Sequence, residues 1–103
     1  MDIFSKYMPM TETAYLILLA LKEELHGYGV IQKVDKLTEG RIHLGPGTVY
    51  GTLSRMESDG VIISKGEFER KKLYVISNLG SEILAKEITR LGLLYKYGVG
   101  EQI

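Results

Sequence analysis

The sequence predicts a mainly α-helical α+β domain with one small β-hairpin, ordered helix, helix, helix, hairpin, helix. Apolar residues recur at helical spacing in four stretches between residues 11 and 96. Two runs rich in Val, Ile and Tyr, residues 61–65 and 71–77, stand one turn apart, as hairpin strands do. Breaks containing glycine or proline interrupt the pattern at residues 26–29, 45–47 and 59–60.

At 103 residues the chain has the size of one domain, and 45% hydrophobic with 25% charged residues is the balance of a packed globule. A core this small gains from a subunit interface. The absence of cysteine excludes disulfides, thiolate metal sites and cysteine nucleophiles. The longest purely apolar run, residues 14–21, is too short to span a bilayer and follows no basic stretch, so a cytoplasmic protein is expected.

Residues 1–10 form an N-terminal arm without a firm period, in which Ile3, Phe4, Tyr7 and Met8 are apolar and Pro9 marks the end. Thr11 is a good N-cap and Glu12 suits a first turn, so a helix is expected from there to about residue 24. Its middle is apolar nearly all round. Either it is sandwiched inside the domain or its second face meets another subunit, and the small chain favours the second. A second helix follows over residues 28–37, with Val30, Ile31, Val34 and Leu37 at helical spacing and Gly40 as a left-handed stop. Residues 41–44 read as a short strand.

Gly45-Pro46-Gly47-Thr48 starts a third helix, since proline at a first helical position needs no backbone donor. It runs to about residue 58 on the stripe Val49, Leu53 and Met56, and its opposite face shows Thr48, Thr52 and Arg55 with Tyr50, Gly51 and Ser54 beside them. The hairpin turn is expected at residues 66–70. Ser77 can cap a last helix to about residue 96, whose Leu84, Ile88, Leu91 and Tyr95 make a coiled-coil-like seam. The expected division is an arm at 1–10, a core at 11–77, a C-terminal helix at 78–97 and a loose tail at 98–103.

This order is that of a winged helix-turn-helix, whose third helix enters the major groove of DNA. Such a helix needs a narrow apolar anchor, small or polar residues outward, and an N-terminus open to phosphate. The candidate DNA-binding residues are therefore Gly47, Thr48, Tyr50, Thr52 and Arg55 on the helix, with Arg70, Lys71 and Lys72 on the hairpin. Net charge is zero, but residues 41–78 hold six basic and four acidic residues, a local excess of two. A winged helix used only for protein association competes with this expectation, on the strength of the zero net charge and of Glu67 and Glu69 in the wing. His26 and His43 lie far apart without a carboxylate cluster, so no metal or cofactor is expected, and no nucleophile motif points to an enzyme.

His26-Gly27-Tyr28-Gly29, Gly45-Pro46-Gly47-Thr48-Val49-Tyr50 and Leu53-Ser54-Arg55-Met56-Glu57-Ser58-Asp59-Gly60-Val61-Ile62 resemble the signature of PadR-type regulators. Arg70-Lys71-Lys72-Leu73-Tyr74-Val75-Ile76-Ser77, followed by Gly80, resembles that family's wing, and the likeness covers roughly residues 11–85. The resemblance implies a homodimeric transcription factor, usually a repressor, on a partly palindromic operator in double-stranded DNA. It implies that the last helix meets the partner, often with the first, which makes Leu84, Ile88, Leu91 and Tyr95 the candidate dimer interface. It also favours a DNA contact from the Tyr50 hydroxyl. Some small members bind flat aromatic compounds at the dimer centre, and others respond to phenolic acids or envelope stress, so a small-molecule effector is implied. The chain departs from the pattern in its acidic wing residues Glu67 and Glu69 and in having no tryptophan for an aromatic sandwich, a role not carried over to Tyr95 or Tyr97.

Overall fold

The computed structural model describes residues 2–100 in the order α1 (Ile3–Tyr7), α2 (Glu12–Ala20), α3 (Gly27–Leu37), α4 (Pro46–Ser58), β1 (Ile62–Phe68), β2 (Lys71–Ile76) and α5 (Asn78–Gly98). The expected class holds: helices dominate, and β1 and β2 form an antiparallel hairpin.

The first-turn N–H groups of a helix need acceptors, and single side chains supply them. Thr11 accepts from the Ala14 N–H at 3.1 Å, and Ser77 from Gly80 at 3.0 Å. His26 caps α3, its Nδ1 accepting from the Gly29 N–H at 3.1 Å. Proline occupies the first position of α4, where no donor is missed.

α2 stops at Ala20, several residues before the expected end. The cause is pairing with β2. The Leu21 carbonyl accepts from the Ile76 N–H at 2.8 Å, and Leu25 exchanges two backbone hydrogen bonds with Tyr74, at 3.0 and 2.9 Å. There is a second correction. Residues 41–44 join no strand, and the place beside β2 is taken by Leu25. Thr38 organises them instead, accepting from the Ile42 N–H on its hydroxyl and from the Arg41 N–H on its carbonyl.

The core lies between α2, α3 and α4, closed by the start of β1 and the first half of α5. Ile17, Leu18, Leu21, Val30, Val34, Val49, Leu53, Met56, Val61 and Ile83 have no exposed surface. α2 is largely sandwiched within the domain, with Ala14, Leu16, Ile17, Leu18 and Ala20 buried. α3 and α5 pack on it, and only Thr13, Tyr15 and Leu19 along its inner turns stay half-buried.

β1 reaches Phe68, further than expected, so the turn shrinks to Glu69 and Arg70. Both have positive φ, 52° and 65°, as a two-residue type I′ loop demands. The register shifts between Ser64 and Glu67, where Gly66 at φ 94° makes a bulge that bends the wing.

α5 begins tight against β1: a Cβ on Gly80 would collide with the Val61 carbonyl and crowd the Ile76 side chain. Leu84, expected in an intersubunit seam, is only 3% exposed and belongs to the protomer's own core. Ile88 and Tyr95 are exposed and Leu91 half-buried. Of the tail expected at 98–103, Gly98 ends the helix and Val99 caps it, while residues 101–103 lie outside the described residues. Among the described residues, no helix is long and apolar enough to cross a membrane.

The N-terminal arm is folded onto the body. Lys6 Nζ lies 2.9 Å from Asp59 Oδ1, and the buried Tyr7 donates its hydroxyl to Asp59 Oδ2 at 2.8 Å. Burial, and then Asp59, push the Tyr7 phenol up to about 12. The Met10 N–H donates to Glu87 Oε2 at 3.0 Å. Glu87, 1% exposed, also accepts from Arg90 at 2.8 and 2.6 Å.

Gly80→Ala is expected to lower the unfolding free energy by about 1–3 kcal/mol, visible as a lower urea midpoint at unchanged slope. An unaltered midpoint would show that α5 and β1 can separate without cost.

Hydrogen bonds from Lys6 and Tyr7 hold the Asp59 carboxyl below its usual range, and Arg90, then Met10, do the same for Glu87 against its burial. The folded chain therefore binds fewer protons than the unfolded one in acid. The stability these groups add is complete above the unfolded carboxyl values near pH ~4 and drains as pH falls through the folded values. Urea midpoints should drop below that pH in wild type and drop less steeply in Glu87→Gln or Asp59→Asn. Parallel acid limbs in all three proteins would contradict the assignment.

Candidate nucleic-acid interface

α4 follows α3 in the helix-turn-helix arrangement, and the two pack together. Val49, Leu53 and Met56 anchor α4 in the core as the spacing predicts. Gly47, Thr48, Tyr50, Gly51, Ser54 and Arg55 are exposed. The first turn has no side-chain cap, so the Gly47 and Thr48 amides face outward at the positive end of the helix.

Thr52 is a correction. It is 7% exposed and lies on the buried face, so it cannot touch a macromolecule docked on the outer one. Its position is i+3 from Val49 and i−4 from Met56, so helical spacing alone assigns it to the anchor stripe.

Tyr50 leaves α4 toward the start of α3 and lies against Gly27. A Cβ there would displace the Tyr50 ring from this seat. Half of Tyr50 stays exposed (51%). The ring thus closes one side of a cleft of about 190 Å³ whose other walls are His26, Gly27, Arg70, Lys71, Lys72 and Tyr74. This cleft gathers four of the expected residues, Tyr50, Arg70, Lys71 and Lys72, and adds His26, Gly27 and Tyr74. Of the added three, His26 and Gly27 carry a signal in the sequence, as the break between two helices, but their position beside the wing is a tertiary fact.

The three wing cations differ. Lys72 Nζ is 3.0 Å from Glu57 Oε1 on α4 and 5.5 Å from the Tyr74 ring centre. The Glu57 bond, then the nearby Tyr74 and Glu67, raise its pKa. Lys72 is therefore a brace between wing and helix. Arg70 and Lys71 are exposed and make no ion pair among the described residues. Glu67 pairs across the hairpin with Lys72 and Glu69 sits in the turn, which dilutes the positive charge at the tip.

Arg55 is not brought to this cleft. It borders a separate pocket of about 280 Å³ with Lys6, Tyr7, Pro9 and Met10, on the side of α4 facing the arm.

The model of the transcriptional regulator PadR-like family matches residues 16–86. A 37.1 kDa protein of transposon TN4556 from Streptomyces fradiae is 31% identical over 81 residues, 78% of this chain and 23% of that one. Transcriptional regulator YqjI of Escherichia coli is 29% identical over 63 residues, 61% of this chain and 30% of that one. The chain thus spans less than a third of the length of these relatives. Among solved structures, a PadR family regulator from Clostridium difficile superposes at TM-score 0.70 with 27% identity, covering 84% of this chain and 94% of that one. PadR of Bacillus subtilis in complex with operator DNA superposes at 0.66 with 22% identity, covering 76% of this chain and 47% of that one. The match along residues 16–86, most of the chain, shows that this protein belongs to the PadR-like family of transcriptional regulators.

Proposed function

We propose that the protein is a sequence-specific DNA-binding regulator that acts as a homodimer, a repressor on a partly palindromic operator. The observation that carries this reading is the cleft between α4 and the wing. Tyr50 and the exposed Arg70 and Lys71 line it, and the uncapped start of α4 lies one turn before Tyr50 on the same helix. With α4 in a major groove, a phosphate strand runs along this cleft, and the exposed Thr48, Gly51 and Ser54 meet base edges. The fold's likeness to a PadR protein solved on operator DNA supports DNA binding.

Dimerisation rests on α5. Its distal half carries Leu93, Leu94, Tyr95 and Tyr97 exposed. The interface proposed is therefore Ile88, Leu91 and Tyr95 with these neighbours, without Leu84. Repression is the habit of the family this chain belongs to. A small-molecule effector has room in a pocket of about 420 Å³ between α2 and α5, lined by Met10, Tyr15, Leu16 and Leu91 with Glu12, Arg41 and Glu87.

The test begins with a duplex selected from random sequence and anisotropy at several salt concentrations. Wild type should prefer the selected duplex over a scrambled one by about 10³-fold or more. Replacing Arg70 and Lys71 with glutamine should weaken binding to every duplex and make the salt slope shallower by about 2. Lys72→Gln should change the slope less, since Glu57 already neutralises that cation. Thr48→Val should alter discrimination between sites. No salt-dependent binding to any duplex would instead mark the fold as a protein-association module.

Light scattering at micromolar concentration should give about twice the chain mass of 11.6 kDa. Replacing Leu94 and Tyr95 with serine should return it to the single-chain value, and a single-chain mass for wild type would refute the dimer.

A further inference from the structure

We propose that the N-terminal arm and Glu87 form a strut that sets the angle between the DNA-reading helix α4 and the helix α5. This rests on the reading of the protein as a dimeric DNA binder, in which α5 joins the subunits and α4 enters the groove.

The arm touches both helices within a few residues. At its α4 end, Lys6 and Tyr7 bind the two oxygens of Asp59, at 2.9 and 2.8 Å. Asp59 is the C-cap of α4, so the arm grips the helix at its last turn. At its α5 end, the Met10 N–H donates to the buried Glu87, and Lys86 Nζ lies 5.3 Å from the Phe4 ring centre. Only Met8 and Pro9 separate the two grips, and Pro9 has a fixed φ. So short a link transmits displacement and does not absorb it. Arg90 completes the α5 end by holding both Glu87 oxygens, so the carboxylate cannot turn away from Met10.

The contacts have a consequence for a dimer on a palindrome. Its two reading helices must stand one helical turn of DNA apart. Inserting 2 bp at the operator centre moves one half-site by about 7 Å and rotates it by about 70°. A dimer with rigid α4–α5 angles rejects that duplex, whereas one with loose angles accepts it. The strut makes Lys6, Tyr7 and Glu87 positioning residues for spacing, with no DNA contact of their own.

The experiment compares the selected operator, the same operator with 2 bp inserted, and an isolated half-site, against wild type, Lys6→Gln, Tyr7→Phe and Glu87→Gln. Wild type should favour the native spacing. Each variant should reduce that preference by about fivefold or more while its half-site affinity is kept. A role in stability alone would weaken all three duplexes together. Lys6 is half exposed, so Lys6→Gln keeps the test open even where Glu87→Gln unfolds the chain. Variants that retain the wild-type spacing preference overturn the strut and leave DNA binding standing. A wild type that binds all spacings alike overturns the strut alone, and one that binds no duplex overturns the DNA-binding reading with it.

Discussion

Three backbone hydrogen bonds hold the wing to the body, and the cleft exists because of them. Leu25 and Tyr74 exchange two, and Ile76 gives one to Leu21. A two-stranded hairpin is marginal in water when it stands alone. Here β2 gains a second neighbour, one residue wide, taken from the link between α2 and α3. That pairing fixes Tyr74, which lies one side-chain period from Lys72 on the same face. Lys72 then reaches Glu57 on α4, and Tyr50 on α4 rests on Gly27, two residues beyond the anchor. Wing, α3 and α4 are thereby braced around one opening, and Gly80 closes the far end of the hairpin against α5.

Zero net charge fits this arrangement once the charges are sorted by partner. Most of the paired cations face acids that belong to the scaffold. Lys6 meets Asp59, Lys33 meets Glu23, Arg41 meets Glu12, and Arg90 meets Glu87. The exposed pairs among them contribute little to stability, but each removes a cation from competition for phosphate. Arg70 and Lys71 stay outside this set, on the wall of the cleft. A chain with no excess charge thus keeps local positive charge beside Tyr50 of α4. Glu67 and Glu69 temper that charge at the wing tip.

What the sequence revealed follows from the range of each interaction. Thr11, Ser77 and Pro46 act within one turn, so the helix starts were legible. The end of α2 was not, because it depends on a pairing between residues 25 and 74 that no local pattern announces, and neither was the fate of residues 41–44. Thr52 was legible and was masked by its polar side chain, since its spacing from Val49 and Met56 already placed it inward. Leu84 shows the limit of a seam. A 4-3-4 spacing identifies a helix face, but the neighbour on that face changes along the helix. The body's own core takes Leu84, and only the residues beyond it are free for a partner. At the site, residue types were readable and their grouping was not. Tyr50 joined the wing cations through Gly27, and Arg55, five residues on, went to the pocket beside the arm.

Glu87 is the residue whose presence most needs a physical reason. A carboxylate with 1% exposure costs desolvation that a leucine there would not incur. Arg90 and the Met10 N–H offset that cost, yet an apolar replacement would pack without needing either. Apolar contacts, however, are indifferent to direction, and a helix seated on them alone can slide or roll by small amounts. Three hydrogen bonds to one carboxyl group define an orientation for α5, for Arg90 and for the backbone at Met10 together. The same reasoning applies at Asp59, where two donors from neighbouring residues fix the arm to the end of α4. Polar groups at both ends of a two-residue link, Met8 and Pro9, therefore specify geometry where hydrophobic burial supplies only cohesion.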